Sequence, residues 1–365
     1  MGIAFLVYGS FHLYTFAKVW MAYPHSLALG LALAFGALVL TFLPSVVWRL
    51  ERRNLQAVTV ATAWVSYTWM GYLFLFVCIG LLFDLGHGLS ILLNFNWPLD
   101  DPTTLRIVGL LALALLSYGF IEAWHIRVEE VNIETPKLAS GHVTLAQISD
   151  VHLGIMRGTG FLDRIVAKLR EIKPDIVVAT GDIVDGRGEN LAPLAQRFHA
   201  YAPPLGAYAV TGNHEYYAGL ENSLRFLRNA GFTMLRGESA RAGTIVLVGV
   251  DDAVSGKSEQ QEMLATRKVL ASGSGNDFIV LLKHRPVVNP ETPFDLQLSG
   301  HVHGGQIFPF VYLTRLAYKM QTGFTELAGG QRLYVSRGTG TWGPPIRLFA
   351  PPEITLIKIA SASAG

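Results

Sequence analysis

Residues 142–154 read HVTLAQISDVHLG, and this stretch decides the architecture of everything after it. An apolar, β-forming run, 142–148, leads into Asp150-Val151-His152, so a buried strand hands metal-type side chains to the loop at its end. The arrangement recurs along the chain. The run 175–180 leads into Gly181-Asp182-Ile183-Val184-Asp185, and 207–211 into Gly212-Asn213-His214-Glu215. The run 277–282 leads to His284, and 296–298 into Gly300-His301-Val302-His303. Helical periodicity near 159–172, 190–200, 219–230 and 258–271 separates these runs, and further strands are expected at 126–134, 244–250, 332–336 and 353–359. Such alternation predicts an α/β domain whose ligands gather beyond the strand ends, where every one of these clusters lies.

Taken singly, most of the clusters are weak. Asp-x-His after a strand puts two side chains on one face by the period-2 rule, yet an Asp there serves equally well as a turn residue or helix cap. Gly-Asp-x-x-Asp is no stronger, and a lone His284 is most simply a satisfied core histidine. Gly-Asn-His-Glu says more, because an Asn can ligate through its amide oxygen while the next His faces a substrate. Gly-His-x-His-Gly-Gly says most, since the glycines allow close backbone approach while both imidazoles converge. Asp150, Asp182 and Asp185 supply three carboxylates, Asn213 one amide and His152, His214, His284, His301 and His303 five imidazoles, a set suited to two divalent cations a few ångströms apart. Such a pair neutralises charge on phosphoryl oxygens and lowers the pKa of a shared water, whose hydroxide attacks in line. A histidine on the far side can stabilise charge or protonate the departing oxygen, worth about 10²–10⁴-fold. The mixed nitrogen and oxygen donors suit Mn²⁺, Zn²⁺ or iron and argue against a soft metal.

Carrying these motifs in this order, the chain resembles the calcineurin-like metallophosphoesterase superfamily over about residues 142–360. The surrounding text (LAQISDVHLG, TGNHEYYAG, SGHVHGGQ and YVSRGTGTWGPPIRLFAPPEI) is similar to its bacterial, membrane-associated branch. The resemblance implies a two-sheet β-sandwich flanked by helices, with a dimetal site at one edge. It implies Asp150, His152 and His303 on one metal, Asn213, His284 and His301 on the other, and Asp182 bridging. His214 would stay off the metals and face the scissile phosphate, oriented by Asp185. One departure stands out: related protein phosphatases have an Arg directly after the second Asp, whereas here Gly186 precedes Arg187. A phosphate contact by Arg187 is therefore not carried over.

The N-terminal third is of another kind. Hydrophobic residues make up 51% of the chain and its mean hydropathy is +0.36, with the excess in residues 1–125. Four stretches (3–22, 26–48, 57–83 and 104–124) reach the ~20 residues that cross a bilayer. The first is the weakest, because it carries His12 and Lys18, and the apolar 88–97 reads as interfacial. The start lacks a basic n-region and a small-residue cleavage pattern, so no cleavable signal peptide is expected. Leu6 stands where a myristoylation site needs Ser or Thr. Gly30, Gly36, Gly71, Gly109 and Gly119 suit helix packing.

Arg49, Arg52 and Arg53 fall between the second and third stretches, and Arg127 follows the fourth. Asp84, Asp100 and Asp101 lie between the third and fourth. Positive charge thus assigns the middle loop and the C-terminal domain to the cytoplasm. The expected organisation is an α-helical transmembrane domain over 1–125, a linker or edge strand over 126–141, and an α/β metallophosphoesterase domain over 142–365. The chain is expected to be multi-pass in a bacterial inner membrane.

A net charge of +2 with scattered basic residues gives no nucleic-acid surface. The single cysteine, Cys78, excludes a disulfide framework and a thiolate metal site. No feature sets an oligomeric state. Residues 304–322, GGQIFPFVYLTRLAYKMQT, are unusually apolar and form a hairpin packed on the core, an apolar wall beside the site, or a surface dipping into the membrane and able to admit acyl chains, with Arg315 and Lys319 toward anionic headgroups. Arg285, Arg337 and Arg347 are each either phosphate contacts or structural ion-pair partners. A membrane anchor on a phosphoesterase points to a lipid-linked phosphate or pyrophosphate. Some members of the resembled family cleave the pyrophosphate of UDP-diacylglucosamine. Soluble phosphoesters are the enzymatic alternative, and a membrane sensor that only binds its ligand is the non-enzymatic one.

Overall fold

The computed structural model describes residues 2–53, 55–138, 140–186, 191–271 and 276–362; Arg187 lies outside the described residues. Its contacts divide the chain into two units, one of Met1–Glu122 with Gly343–Leu348 and one of Ala123–Trp342 with Phe349–Gly365.

The second unit is built on two six-stranded mixed sheets. The first contains β1 (Arg127–Thr135), β2 (His142–Ile148), β3 (Ile176–Thr180), β4 (Ala207–Val210), β5 (Phe232–Met234) and β12 (Glu353–Ser361), in the order β1-β12-β2-β3-β4-β5. The second contains β6 (Glu238–Ala242), β7 (Ile245–Gly249), β8 (Phe278–Leu282), β9 (Leu296–Ser299), β10 (Gly323–Glu326) and β11 (Arg332–Val335), in the order β10-β11-β9-β8-β7-β6. Alternation along each strand decides the layers. Val143, Leu145, Ile176 and Val178 face Leu247, Val280, Leu282 and Leu296 across the inter-sheet core. The intervening Ala146, Ile148, Val177 and Ala179 face helices α5 (Thr159–Ile172), α6 (Ala192–His199) and α8 (Leu220–Asn229). On the far side Val246, Val248, Ile279 and Leu281 pack on α9 (Ser258–Ala271). The result is the expected helix-flanked sandwich. Strands β2, β3 and β4 run parallel to one another, as do β8 and β9, so the loops after all five leave the sheets at one edge.

The hairpin considered for 304–322 is not found. A 3-10 turn at His303–Gly305 is followed by α10 (Val311–Ala317), none of whose residues is buried, and then by β10. The helical pattern near 219–230 is α8, and a short helix that no periodicity announced, α7 (Asn213–Ala218), precedes it, divided from it at Gly219, whose φ of 109° no side chain tolerates readily.

The first unit has four helices among its described residues: α1 (Gly2–Ala22), α2 (Leu27–Glu51), α3 (Gln56–Leu92) and α4 (Asp101–Trp124). Three of them, α2, α3 and α4, are long and apolar enough to cross a membrane. Helix α1 was expected to be a fourth, but its His12 and Lys18 are polar and partnered. His12 accepts from Trp69 at 2.9 Å and meets Thr41 at 3.1 Å, while Lys18 pairs with Asp84 at 2.5 Å. The apolar run 88–97 was expected to lie in the interface; its first part instead continues α3, which ends before Asn94 at φ 52°. Two expected packing glycines are tight: a Cβ on Gly71 would sit 3.2 Å from Ile346, and one on Gly119 3.0 Å from it. No sequence pattern announced that Gly343–Leu348 would join the helices.

Candidate metal centre

Each of the five strands ends before the residue that matters, and the backbone then turns sharply. Nine non-glycine residues among those described have positive φ. Five of them are Asp150, His152, Asp182, His301 and His303, between 51° and 73°. The pleat does not bring Asp150 and His152 to one face, as the period-2 reading held; two left-handed residues flanking Val151 do. Such conformations cost roughly 1–3 kcal/mol each and persist where surrounding structure over-determines them, which is most often at functional sites.

Here the over-determination can be traced to Glu215, which sequence reasoning quoted but gave no role. Fully buried, it accepts backbone N–H groups from Asp182 (2.9 Å), Ile183 (2.8 Å), Val184 (3.0 Å) and Gly212 (2.7 Å). One carboxylate thus ties the loop after β3 to the loop after β4. Glu215→Ala would strand these buried donors at about 1–3 kcal/mol apiece, comparable to a domain's whole stability of about 5–15 kcal/mol. Thermal unfolding is expected to show loss of the folded second unit in Glu215→Ala and a milder deficit in Glu215→Gln. Gly212 is equally constrained, since a Cβ there would fall 2.1 Å from Asp182 Oδ1.

The predicted side chains converge in three groups, one of which, His152 with Asp185 and His214, shares His152 with another. Asp150, His152 and His303 bring their donor atoms within 4.8 Å of one another, and so do Asp182, His284 and His301. In the first, His152 Nε2 lies 3.1 Å from His303 Nε2, which is 3.4 Å from Asp150 Oδ1. In the second, His284 Nε2 lies 3.1 Å from both Asp182 Oδ2 and His301 Nδ1. Asn213 completes the predicted set: its amide oxygen is buried and has no hydrogen-bond partner among the described residues.

Supporting contacts aim the donors. His284 Nδ1 meets the Thr180 carbonyl at 2.8 Å, which turns Nε2 inward. Ser149 donates to Asp150 at 2.6 Å, and the His301 N–H donates to the same carboxylate at 3.1 Å. Asp182 Oδ1 also accepts the backbone N–H of His214 at 2.8 Å.

His214 and Asp185 form a separate pair, with Nδ1 to Oδ1 at 3.0 Å. Asp185 also approaches His152 at 3.6 Å. The outer side of His214 is rimmed by aromatic rings that sequence reasoning did not single out. Tyr217 lies 5.5 Å and Trp342 5.6 Å away in edge-on contact, and both are largely exposed. The Gln306 side chain holds Trp342 by its backbone on both sides, donating to the carbonyl at 2.9 Å and accepting from the N–H at 2.8 Å. Arg285 and Arg337, weighed as phosphate contacts, are ion-pair partners: Arg285 of Asp252 at 2.9 Å and Arg337 of Glu129 and Glu353. Arg347 is fully buried in the helical unit.

The electrostatics fit a site made for cations. Burial opposes ionisation of Asp182, but the charges of His284, His214 and His152 outweigh it and hold the carboxyl well below its ordinary range. Burial likewise disfavours a charged His284, and Asp182 overrides it, raising the imidazole to about 10. His301, beside it, is lowered to about 3 by burial and by the charges of His284 and Arg285. Without a metal the proton therefore rests on His284 while His301 is neutral. The donor set fits two divalent cations, because ligands at ~2.1 Å from one metal naturally stand about 3 Å apart, as these do. Loading the site must displace that proton, so metal affinity rises with pH.

The sequence matches the calcineurin-like phosphoesterase family over residues 143–305. It is 41% identical over 254 residues to an uncharacterized metallophosphoesterase of Aquifex aeolicus, a match covering 68% of this chain and 97% of that one. The chain belongs to the calcineurin-like metallophosphoesterase family. This metallophosphoesterase is also 31% identical over 274 residues to a zebrafish (Danio rerio) transmembrane protein with metallophosphoesterase domain, covering 70% of this chain and 63% of that protein. Among solved structures it resembles a 5′-nucleotidase precursor from Thermus thermophilus with a TM-score of 0.37 and 16% identity, over 60% of this chain and 54% of that one. As a member of a dimetal-dependent family, the protein is a metal-dependent phosphoester hydrolase.

His214 carries a further expectation. Burial would lower its pKa, but the Asp185 hydrogen bond and the charges of Asp182 and Asp185 raise it to about 8. A proton on His214 is then present at neutral pH and lost above about 8. Activity on an ester with a poor leaving group should fall along that alkaline limb. In Asp185→Asn burial remains while the raising contacts weaken, so the limb of the kcat–pH profile should move to lower pH.

Proposed function

We propose that this protein is a membrane-anchored phosphoesterase that hydrolyses a lipid-linked phosphodiester or pyrophosphate. Asp150, His152 and His303 would hold one cation, Asn213, His284 and His301 the second, with Asp182 shared between them. When bound, the cations supply charge neutralisation on the phosphoryl oxygens and an acidified water. Mn²⁺, Zn²⁺ and iron all suit the donors. His214 has Nδ1 engaged by Asp185, and its Nε2 would face the ester. It would deliver a proton to the departing oxygen, and Asp185 would fix its tautomer.

The observation that carries the lipid-linked reading is the rim of Tyr217 and Trp342 beside His214, on a chain whose α2, α3 and α4 are of membrane-spanning length. Exposed aromatic rings next to the leaving-group side favour an apolar substituent there. Arg49, Arg52 and Arg53 precede α3, and Arg127 follows α4. Both ends of the α3–α4 pair are thus basic, whatever α1 does, and the positive-inside rule assigns the catalytic domain to the cytoplasmic side of an inner membrane. Cysteine labelling from either side at positions in 126–141 tests that orientation.

Substrate preference is tested with the full chain in vesicles, comparing bis-p-nitrophenyl phosphate with bilayer-embedded lipid pyrophosphates, UDP-diacylglucosamine among them. The expected result is a higher kcat/KM on the lipid substrate and a preference reduced about tenfold in Trp342→Ala, the scale of one partly buried aromatic contact. Equal or better turnover of the soluble ester would defeat the lipid assignment.

A further inference from the structure

Beyond the rim of Tyr217 and Trp342, the second unit exposes an apolar face. Phe308, Phe310, Tyr312, Leu313, Leu316 and Phe349 are all exposed, Leu316 at 85% and Phe349 at 67%. The face is one surface: Phe308 contacts Tyr312 at 5.8 Å and Phe349 at 5.9 Å between ring centroids. It is also held in shape. Gly305 meets Val311 so closely that a Cβ would fall 2.4 Å from the Val311 backbone, which seats α10 directly on the turn that begins with His303. Phe349 is kept at φ 57°, a left-handed conformation that is strained for a bulky residue, while its ring remains outside. Monomeric proteins seldom leave ordered apolar patches of this kind uncovered.

Charge identifies the cover. From Val302 to Thr325 the sequence contains no acidic residue, while Arg315 and Lys319 lie among the apolar positions and are exposed. The Arg315 guanidinium stacks 5.7 Å from the Tyr312 ring. Phe and Leu beneath a fringe of Tyr, Arg and Lys is the composition of an element lying in the interface of an anionic bilayer.

We propose that the face formed by Phe308, Phe310, Tyr312, Leu313, Leu316 and Phe349 inserts into the lipid–water interface, with Arg315 and Lys319 on the headgroups. The inference deepens the membrane-anchoring part of the proposed function and rests on it. Because α10 is seated on the His303 turn, insertion brings that edge of the metal centre to the headgroup level, where a lipid-linked phosphate resides.

The test uses the full chain in phosphatidylglycerol-containing vesicles, in a Cys78→Ser background, with one spin-labelled cysteine at a time. Leu316→Cys reports the face, Glu171→Cys on α5 gives a water reference, and Leu38→Cys on α2 gives a lipid reference. Relaxation by oxygen is compared with relaxation by a water-soluble nickel chelate. The expected result is a label at 316 that resembles 38, with oxygen dominant, while 171 shows the reverse. A label at 316 that resembles 171 overturns the proposal. So does one shielded from both reagents, which would mean a protein contact on this face. Nickel access at 38 would instead count against the anchoring helices, and the label at 316 still reports the face on its own.

Discussion

Asp182→Ala is expected to abolish phosphoester turnover, by roughly 10³-fold or more, and to leave the protein unable to hold two cations together. The expectation follows from position. Asp182 is fully buried, with Oδ2 3.1 Å from His284 Nε2 and Oδ1 on the His214 N–H at 2.8 Å. Its carboxyl is held well below the ordinary range by surrounding imidazoles, so it is ionised across the working pH range. Its removal leaves one side of the site with neutral donors alone and withdraws several kcal/mol of charge stabilisation, each 1.4 kcal/mol being tenfold in rate. Metal content measured alongside turnover distinguishes this outcome from simple unfolding, for which circular dichroism is the control. A variant retaining two equivalents of metal and wild-type rates would remove Asp182 from its bridging role.

His214→Ala should separate the two halves of the chemistry. No metal donor is lost, so the protein should load as the wild type does while kcat falls by about 10²–10⁴-fold, the usual worth of a positioned acid or base. The size of the loss should depend on the leaving group. An alkyl ester, whose departing oxygen needs a proton, should show the full effect. A p-nitrophenyl ester, whose leaving group departs as a stable anion, should show a visibly smaller one. Equal losses on both would mean that His214 stabilises charge on the phosphoryl group without donating a proton. The 3.0 Å contact to Asp185 predicts that Asp185→Asn gives a weaker version of the same pattern.

The side chains that converge at the candidate metal centre were legible because apolar strand runs announce their own ends and Asp, Asn and His are scarce there for packing reasons. Runs such as 142–148 and 277–282, alternating with helical periodicity, made the α/β domain legible in the same way, whereas the two-sheet sandwich was implied by the family resemblance. What was not legible acts through the backbone or through distant chain. Glu215 works on N–H groups more than thirty residues earlier, at Asp182 and Ile183, and a carboxylate after Asn-His carries no mark of that duty. The left-handed turns at Asp150 and His152 replace the pleat as the device of convergence, and neither residue type signals a positive φ. Edge strand β6, with the sequence Glu-Ser-Ala-Arg-Ala, has no apolar run and pairs only because β7 lies beside it. Helix α3 outran its expected end because nothing in 84–92 stops a helix. Trp342 reached the site through a loop whose course is set by packing far from it in sequence.

Phosphoester hydrolysis by this chain would depend on two cations held by Asp150, His152, Asp182, Asn213, His284, His301 and His303. That dependence is tested most directly by stripping the full-length protein of metal in vesicles and titrating Mn²⁺ back while following bis-p-nitrophenyl phosphate hydrolysis and bound metal together. Negligible turnover without metal and activity that saturates at two equivalents per chain are the expected results. Undiminished hydrolysis by the metal-free protein, or saturation at a single equivalent, would contradict that dependence.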